Sequence, residues 1–224
     1  RKMGYNKDQK GIINRYLRES EGWKEHLQNT RNFILQSAKT KEKTHAVVLG
    51  SGWLLDVPLE ELCESFGKVT LIDIRHPRQV KKKAEKYSSL KLEEVDLTGG
   101  LVSKIYESIQ DYKKEKNLPL VSSLRPDQNP LIKNPDFIVS CNLLTQLGTL
   151  IREYLKKYPE FSDKELNALE KVIQESHIEM LQQGKSCLVS EYEEELYDED
   201  DNFLGTNPLL QINIPEDSIQ KKWK

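Results

Sequence analysis

Glycine and acidic residues follow the ends of short apolar runs, in an arrangement that could bind a nucleotide-like cofactor. Gly50, Ser51 and Gly52 come directly after the apolar residues 46–49. Glycine permits a tight turn and lets a ligand approach the backbone closely, and the free N–H groups of a following helix suit a phosphate or a carboxylate. The same pattern also fits a plain strand-to-helix turn, so its meaning depends on the acidic residues that follow.

Asp73 and Asp96 end the second and third predicted strands. An acid about 20 residues after the glycines commonly accepts hydrogen bonds from ribose hydroxyls, and a carboxylate at Asp96 could accept one from an adenine amino group. Each of these acids could instead cap a helix. His76 follows the second strand closely and is a further candidate for contact with a cofactor.

Polar side chains also follow the fourth predicted strand, at Ser140, Asn142 and Gln146. Asn142 and Gln146 are four residues apart, so both amides could face one side of a helix opening. Amides can orient a substrate, and they can equally cap a helix. His177, before the fifth strand, could act as a general base or pack as an ordinary histidine. Asn142, Gln146 and His177 are therefore the catalytic candidates, and Ser140 is a candidate cofactor contact.

Short apolar runs alternate with longer amphipathic segments, which is the pattern of an α/β fold. Helical segments separate the predicted strands, which are residues 46–49, 69–74, 90–97, 136–141 and 187–192. The alternation implies right-handed crossovers and a doubly wound, mostly parallel sheet with helices on both faces. Ligands of such sheets bind at the carboxyl ends of the strands, where the polar residues described above fall.

The first part of the chain predicts a helix of its own. Apolar residues recur near the helical period over residues 12–38, and Gly22 is expected to break this helix into two pieces. A lysine-rich link then leads to the first strand. We therefore expect an N-terminal helical extension over residues 1–44 and a Rossmann-like cofactor-binding domain over residues 45–224.

The whole chain has nearly equal numbers of acidic and basic residues, but the acids are concentrated in one segment. The formal net charge of −2 gives no whole-protein indication of nucleic-acid binding. Residues 191–201 are dense in acids, and they predict a solvated loop that could also attract a cationic substrate. Residues 209–214 alternate like one further strand.

The remaining composition argues against several classes of protein. Every apolar run falls far short of the roughly 20 residues of a membrane helix, and the first ten residues have no apolar stretch of a signal peptide. Cys63, Cys141 and Cys187 are far apart and lack metal-ligand spacing. We therefore expect no metal site, no membrane partner and a reducing, cytoplasmic location.

Four segments of the chain resemble successive strand-end motifs of class I S-adenosylmethionine-dependent methyltransferases. They are Val47-Val48-Leu49-Gly50-Ser51-Gly52, Leu71-Ile72-Asp73, Val95-Asp96 and Asp136-Phe137-Ile138-Val139-Ser140. The resemblance implies a Rossmann-like fold with a seven-stranded mixed sheet, S-adenosylmethionine as cofactor and a methyl acceptor that the sequence does not identify. It would place Gly50 and Gly52 against the amino-acid part of the cofactor, Asp73 at the ribose and Asp96 at the adenine.

The sequence departs from this family pattern at Val48, where the family usually has an acid. Asp56 could take the place of that acid. One alternative is an NAD(P)-dependent oxidoreductase, but Leu55 stands where the third glycine of its fingerprint belongs, and the Tyr112–Lys116 pair, which has the spacing of short-chain dehydrogenases, precedes the fourth strand. Another alternative is a non-catalytic binding protein that keeps the Rossmann-like fold.

Overall fold

The computed structural model describes residues 5–117, 119, 121–127, 134–214 and 219. Its helices are α1 (Tyr5–Ala38), α2 (Leu59–Ser65), α3 (Arg78–Ala84), α4 (Leu101–Glu115), α5 (Gln146–Leu155) and α6 (Asp163–Met180), with a short 3-10 helix at Val121–Ser123. Its strands are β1 (His45–Leu49), β2 (Lys68–Asp73), β3 (Leu90–Glu94), β4 (Phe137–Cys141), β5 (Ser186–Val189), β6 (Glu193–Tyr197) and β7 (Phe203–Pro208).

Strands β1 to β5 form one sheet in the order β3-β2-β1-β4-β5, and all its pairings are parallel. Leu49, at the end of β1, is aligned with Ile72 of β2 on one side and with Ser140 of β4 on the other. The chain therefore reverses its direction across the sheet between β1 and β4, which makes their carboxyl ends the switch point where such folds bind ligands. The predicted doubly wound α/β fold is confirmed.

The central strands β1, β2 and β4 are buried on both faces, as their near-continuous apolar sequences require. Alternate residues of a strand point to opposite faces. Val48 and Val139 pack with Ile34 of α1 and with residues of α2, whereas Val47 and Ile138 pack against α4, α5 and α6. The helices thus divide into one layer of α1 to α3 and another of α4 to α6.

Helix α1 precedes the sheet and packs along it. The predicted break at Gly22 is wrong, because the one non-helical residue inside α1 is Glu19, with φ −121° and ψ 25°. Gly22 is exposed, and the interruption three residues earlier precedes the second half of the helix, which buries Leu27 and Ile34. No helix in the described part of the chain is long and apolar enough to span a membrane.

Strands β6 and β7 form an antiparallel hairpin of their own. The seven-stranded mixed sheet implied by the family resemblance is therefore wrong: of the strands in the described residues, five are in the sheet and two are outside it. The predicted loop at residues 191–201 contains β6. Glutamates occupy three successive positions of β6, so neither of its faces is apolar enough to cover a core.

The further strand predicted at residues 209–214 is also wrong. Its backbone is bonded to other parts of the chain, since the N–H of Leu209 donates to the carbonyl of Tyr192 and that of Gln211 donates to Oε1 of Gln174 on α6. Those contacts satisfy N–H groups that a strand would have offered to a neighbouring strand.

Candidate functional site

A cavity of about 490 Å³ lies at the carboxyl ends of β1, β2 and β4 and is covered by α1. Its polar lining comes from Arg15, His26, Ser51, Asp56, Asp73, Asp96, Thr98, Asn142, Gln146 and Glu191, and its apolar lining includes Ile12, Trp23, Leu27, Trp53, Leu143 and Leu147. Seven of the ten residues that the sequence singles out are among the lining residues, namely Gly50, Ser51, Gly52, Asp73, Asp96, Asn142 and Gln146.

The turn after β1 requires glycine for two different reasons. Gly50 has φ +70°, and a β-carbon there would lie 2.8 Å from Cδ1 of Leu143. Gly52 has φ +48°, but a β-carbon there would meet only the carbonyl oxygen of Gly50, at 3.9 Å. Gly50 therefore permits close packing, whereas Gly52 leaves open space at the wall of the cavity that a ligand can use.

Asp73 ties the glycine turn to β2. Its Oδ2 accepts a hydrogen bond from the N–H of Gly52 at 2.8 Å, and its Oδ1 accepts one from the N–H of Arg75 at 3.3 Å. Burial raises the pKa of the Asp73 carboxyl, and these backbone donors oppose the rise. Each oxygen keeps acceptor capacity, because an ionised carboxylate has about four acceptor positions. Asp73 thus has a structural role and still lines the cavity.

Asp96 lies two residues beyond the end of β3 rather than within the strand. Its Oδ1 accepts hydrogen bonds from the N–H and the hydroxyl of Thr98, at 2.9 and 2.5 Å. The Thr98 hydroxyl oxygen in turn accepts a 3.4 Å hydrogen bond from the N–H of Val102, in the first turn of α4. Asp96 therefore orders the loop before α4 and lines the cavity as well.

Asn142 and Asp56 form a polar pair in the wall of the cavity. Nδ2 of Asn142 donates to Oδ2 of Asp56 at 2.8 Å, and the Asn142 backbone, at φ +50°, donates to the carbonyl of Val189. Oδ1 of Asn142 is buried and has no hydrogen-bond partner among the described residues. An unpaired buried acceptor costs about 1–3 kcal/mol, so an N–H group of a bound ligand would be stabilised there.

Cys141 also lines the cavity but is not a nucleophile. It is 3% exposed. Burial raises the pKa of its thiol well above the ordinary value, and the neighbouring Asp56 carboxylate raises it further. The reactive form of cysteine is the thiolate, so this thiol stays protonated at neutral pH.

Three of the predicted site residues lie away from the cavity lining. Ser140 and His177 are fully buried on the α4–α6 side of the sheet, where the Ser140 hydroxyl lies 2.8 Å from Nε2 of His177. Burial lowers the pKa of His177 to about 4. The His76 ring lies beneath the turn, with Nδ1 3.3 Å from the Ser51 hydroxyl and Nε2 3.1 Å from the carbonyl oxygen of Glu93.

Sequence reasoning missed Arg15, Thr98 and Glu191 as lining residues. Trp23 and His26 of α1 also line the cavity. Helix α1 is fixed there partly by Arg31, whose guanidinium donates to the carbonyl oxygen of Leu55 in the loop after the glycine turn. No local pattern marks Arg15, which reaches the cavity only through tertiary packing, and Glu191 was indicated only as the first residue of the acidic segment 191–201.

The charge of the cavity lining is predominantly negative. Among the described lining residues, the carboxylates are Asp56, Asp73, Asp96 and Glu191, whereas the basic side chains are Arg15 and His26. A concave site lined by one sign of charge attracts ligands of the opposite sign. The cavity therefore favours a ligand that carries positive charge and N–H or O–H donors.

The chain has a partial structural similarity to a known protein. No protein-family model and no curated protein matches the chain. The crystal structure of the N-methyltransferase NodS from Bradyrhizobium japonicum WM9, in complex with S-adenosyl-L-homocysteine, is similar over 59% of this chain and 54% of that chain, with 16% identity and a TM-score of 0.33. The match thus spans about half the length of that protein. The strand order of its sheet and the glycine turn after β1 show a Rossmann-like, doubly wound fold.

Proposed function

We propose that this protein is an S-adenosylmethionine-dependent methyltransferase whose cofactor binds in the cavity beside the Gly50–Gly52 turn. The observation that carries the proposal is the acidic lining of a cavity at the switch point of the sheet. S-adenosylmethionine combines a cationic sulfonium and an ammonium group with ribose hydroxyls and an adenine amino group. Carboxylates at Asp56, Asp73 and Asp96 suit these donors.

The details of the lining fit such a ligand. Open space at Gly52 accommodates a group packed against the backbone. Asp73 and Asp96 keep acceptor capacity for the ribose and the adenine. Val48 is buried in the core, and Asp56 is the carboxylate that takes the place of the acid that the family usually has at that position. Asn142 and Gln146 lie at the same cavity and would orient the methyl acceptor.

Bound S-adenosylmethionine supplies an already activated methyl group, so the protein need only align the acceptor and exclude water. Trp23, Leu143 and Leu147 supply the apolar walls for this purpose. The chemistry requires no dedicated base at the cavity, and the burial of His177 on the other side of the sheet is compatible with it.

A nicotinamide dinucleotide fits the same cavity less well. Its pyrophosphate is usually held at the N-terminus of the helix that follows the glycine turn. Here α2 begins only at Leu59, after a loop, and has seven residues. Four carboxylates would also oppose two phosphates. Tyr112 donates to Glu160 at 2.6 Å and does not line the cavity.

Calorimetric titration of the purified protein with S-adenosylmethionine, S-adenosylhomocysteine, NADH and NADPH tests the proposal. We expect saturable binding of the two adenosyl compounds and no heat of binding from the nicotinamide dinucleotides. Binding of the dinucleotides alone would identify the cavity as an oxidoreductase site. Binding of the adenosyl compounds without methyl transfer to any protein, nucleic-acid or small-molecule acceptor would identify the chain as a non-catalytic binding protein.

A further inference from the structure

The β6–β7 hairpin leaves apolar side chains partly exposed in the described structure. Leu196 is 43% exposed, Phe203 58% and Leu204 66%. The two strands pair only with each other and join no other strand in the described structure. An isolated two-stranded hairpin is marginally stable in water, so burial of these side chains against a partner would stabilise it.

The same hairpin carries a strong and unbalanced negative charge. Residues 191–201 contain eight acids, and the sequence has no lysine, arginine or histidine between Lys185 and Lys221. Glu194, Glu199 and Asp200 are exposed. Acids lie on both faces of the ribbon, because Glu193, Glu194 and Glu195 are consecutive in β6. A partner for this surface must therefore carry positive charge next to apolar groups.

The hairpin starts at the rim of the cavity. Glu191, two residues before β6, lines the cavity and accepts a 3.4 Å hydrogen bond from the hydroxyl of Thr145, next to the start of α5. The N–H of Leu209 donates to the carbonyl of Tyr192 at 2.9 Å and closes the hairpin at this end. With a rise of about 3.3 Å per residue, the six residues of β7 span about 20 Å.

We propose that the β6–β7 hairpin is the docking surface for an extended, lysine- or arginine-rich polypeptide with apolar residues between its basic ones. The basic side chains pair with the hairpin acids, and the apolar ones cover the exposed apolar side chains of the face on which the peptide lies, since Phe203 and Leu204 are consecutive in β7 and point to opposite faces. An extended segment can also add to a hairpin edge through backbone hydrogen bonds. Nucleic acids and anionic membranes do not fit, because their phosphates are repelled by this charge. This docking proposal goes beyond the proposed function and stands independently of it.

Fluorescence anisotropy with a labelled peptide that alternates lysine and leucine tests this docking. We expect saturable binding that weakens as salt is added, because exposed charges are screened within about 10 Å at moderate ionic strength. The double variant Glu194→Lys/Asp200→Lys should weaken binding by about tenfold or more, since it reverses two charges of the surface. The matched control, Glu61→Lys/Glu64→Lys, reverses two exposed acids on α2 and should bind like the unmodified protein.

Equal binding by the two double variants would overturn the proposal. Equal binding of a peptide that alternates glutamate and leucine would also overturn it, because binding would then depend on apolar contacts alone. Sedimentation that shows a hairpin-dependent dimer with no affinity for the basic peptide would assign the surface to a second copy of the chain instead. Calorimetry with S-adenosylhomocysteine on the same variants separates the two proposals. If the protein does not bind S-adenosylhomocysteine but still binds the basic peptide through the hairpin, the proposed function fails and the docking proposal stands.

Discussion

Gly50 and Gly52 both have positive φ, yet a side chain would meet different surroundings at the two positions. At Gly50 it would collide with Leu143, whereas at Gly52 it would enter open space. Gly52 is therefore the position where a substitution can remove ligand binding without disturbing the packing of the core. Gly184, in the turn after α6, provides a control, because it also has positive φ (+74°) and no neighbour within 4 Å of the added β-carbon.

We expect Gly52→Val to abolish binding of S-adenosylhomocysteine while the protein still unfolds cooperatively. The left-handed backbone makes both Gly52→Val and Gly184→Val less stable by about 1–3 kcal/mol, so strain alone affects the two variants alike. Denaturant unfolding and calorimetric titration of both variants measure the two effects separately. Near-native ligand affinity in Gly52→Val would mean that the glycine serves only the turn.

Asp73 has a structural role at the glycine turn and a proposed role in ligand binding, so its substitution should cause two separate losses. Asp73→Ala removes the acceptor of the Gly52 N–H and the proposed acceptor of the ribose hydroxyls. We expect the affinity for S-adenosylhomocysteine to fall by about 1–3 kcal/mol, the scale for a lost hydrogen bond to a charged group. Titration calorimetry and chemical denaturation provide the two measurements.

Asp136 is the matched control for this carboxylate. Its Oδ2 accepts hydrogen bonds from the backbone N–H groups of Thr44 and His45, at the opposite end of β1 from the cavity. Asp136→Ala should therefore lower stability and leave ligand affinity unchanged. If Asp73→Ala behaves in the same way, Asp73 is a structural residue only.

At the scale of the elements, α6 is joined to β4 by the buried pair of His177 and Ser140. Burial favours the neutral imidazole and lowers the pKa of His177 to about 4, from an ordinary value of 6.5. The folded state therefore binds this proton less readily than the unfolded state. The stability that depends on the neutral form is complete above about pH 6.5 and is lost as the pH falls from there toward 4.

We expect the free energy of unfolding to fall by about 2 kcal/mol between pH 7 and pH 5 through this group, on the scale of 1.4 kcal/mol per pKa unit. His177→Gln keeps a polar partner for Ser140 and removes the titration, so its stability should depend less on pH over that interval. Urea unfolding at several pH values measures both slopes. Parallel slopes for the two proteins would show that another group dominates the pH dependence.

The late start of α2 is the element-level feature that distinguishes this cavity from a dinucleotide site. A loop of nine residues, 50–58, separates β1 from α2, and it brings Trp53 and Asp56 into the cavity wall. Arg31 of α1 binds the carbonyl of Leu55 in this loop. The loop thus takes the position in which a dinucleotide-binding helix would present its N-terminus.

At the scale of the whole molecule, the sequence predicted the alternating architecture and seven of the residues that line the cavity, because both depend on local patterns. Apolar runs that end in Gly50, Asp73 and Asn142 place those residues at one edge of any parallel sheet. The sequence could not predict the burial of Ser140 and His177. Ser140 and Cys141 are neighbours in β4, so their side chains point to opposite faces of the sheet. An error of one residue in the predicted strand register therefore moves a side chain from one face to the other.

The position of β6 and β7 could not be predicted for a related reason. Alternating apolar residues at 209–214 indicated a strand, whereas the acidic residues of β6 indicated a loop. In the structure, β6 is held by β7 through cross-strand contacts such as that of Tyr197 with Phe203, whose ring centroids are 5.7 Å apart. Such pairs stabilise a hairpin without a buried face, and hydropathy does not report them.

The cavity walls come from segments that are distant in sequence: α1, the loop after β1, the end of β2 and the start of α5. A ligand that contacts all of them must stabilise the folded chain as a unit. At a concentration one hundred times the Kd, S-adenosylhomocysteine should add about 2.7 kcal/mol to the free energy of unfolding. For a protein of this size that corresponds to a rise in Tm of roughly 5–10 °C.

Scanning calorimetry with and without the ligand measures this rise, and hydrogen exchange locates it. We expect slower exchange in the second half of α1, in residues 50–58 and at the start of α5, because ligand contacts reduce local opening of these walls. The Gly52→Val variant should show neither effect, and Gly184→Val should show both. A rise in Tm with no added protection in α1 would mean that the ligand binds without contacting this helix, and the helix would then cover the cavity without taking part in binding.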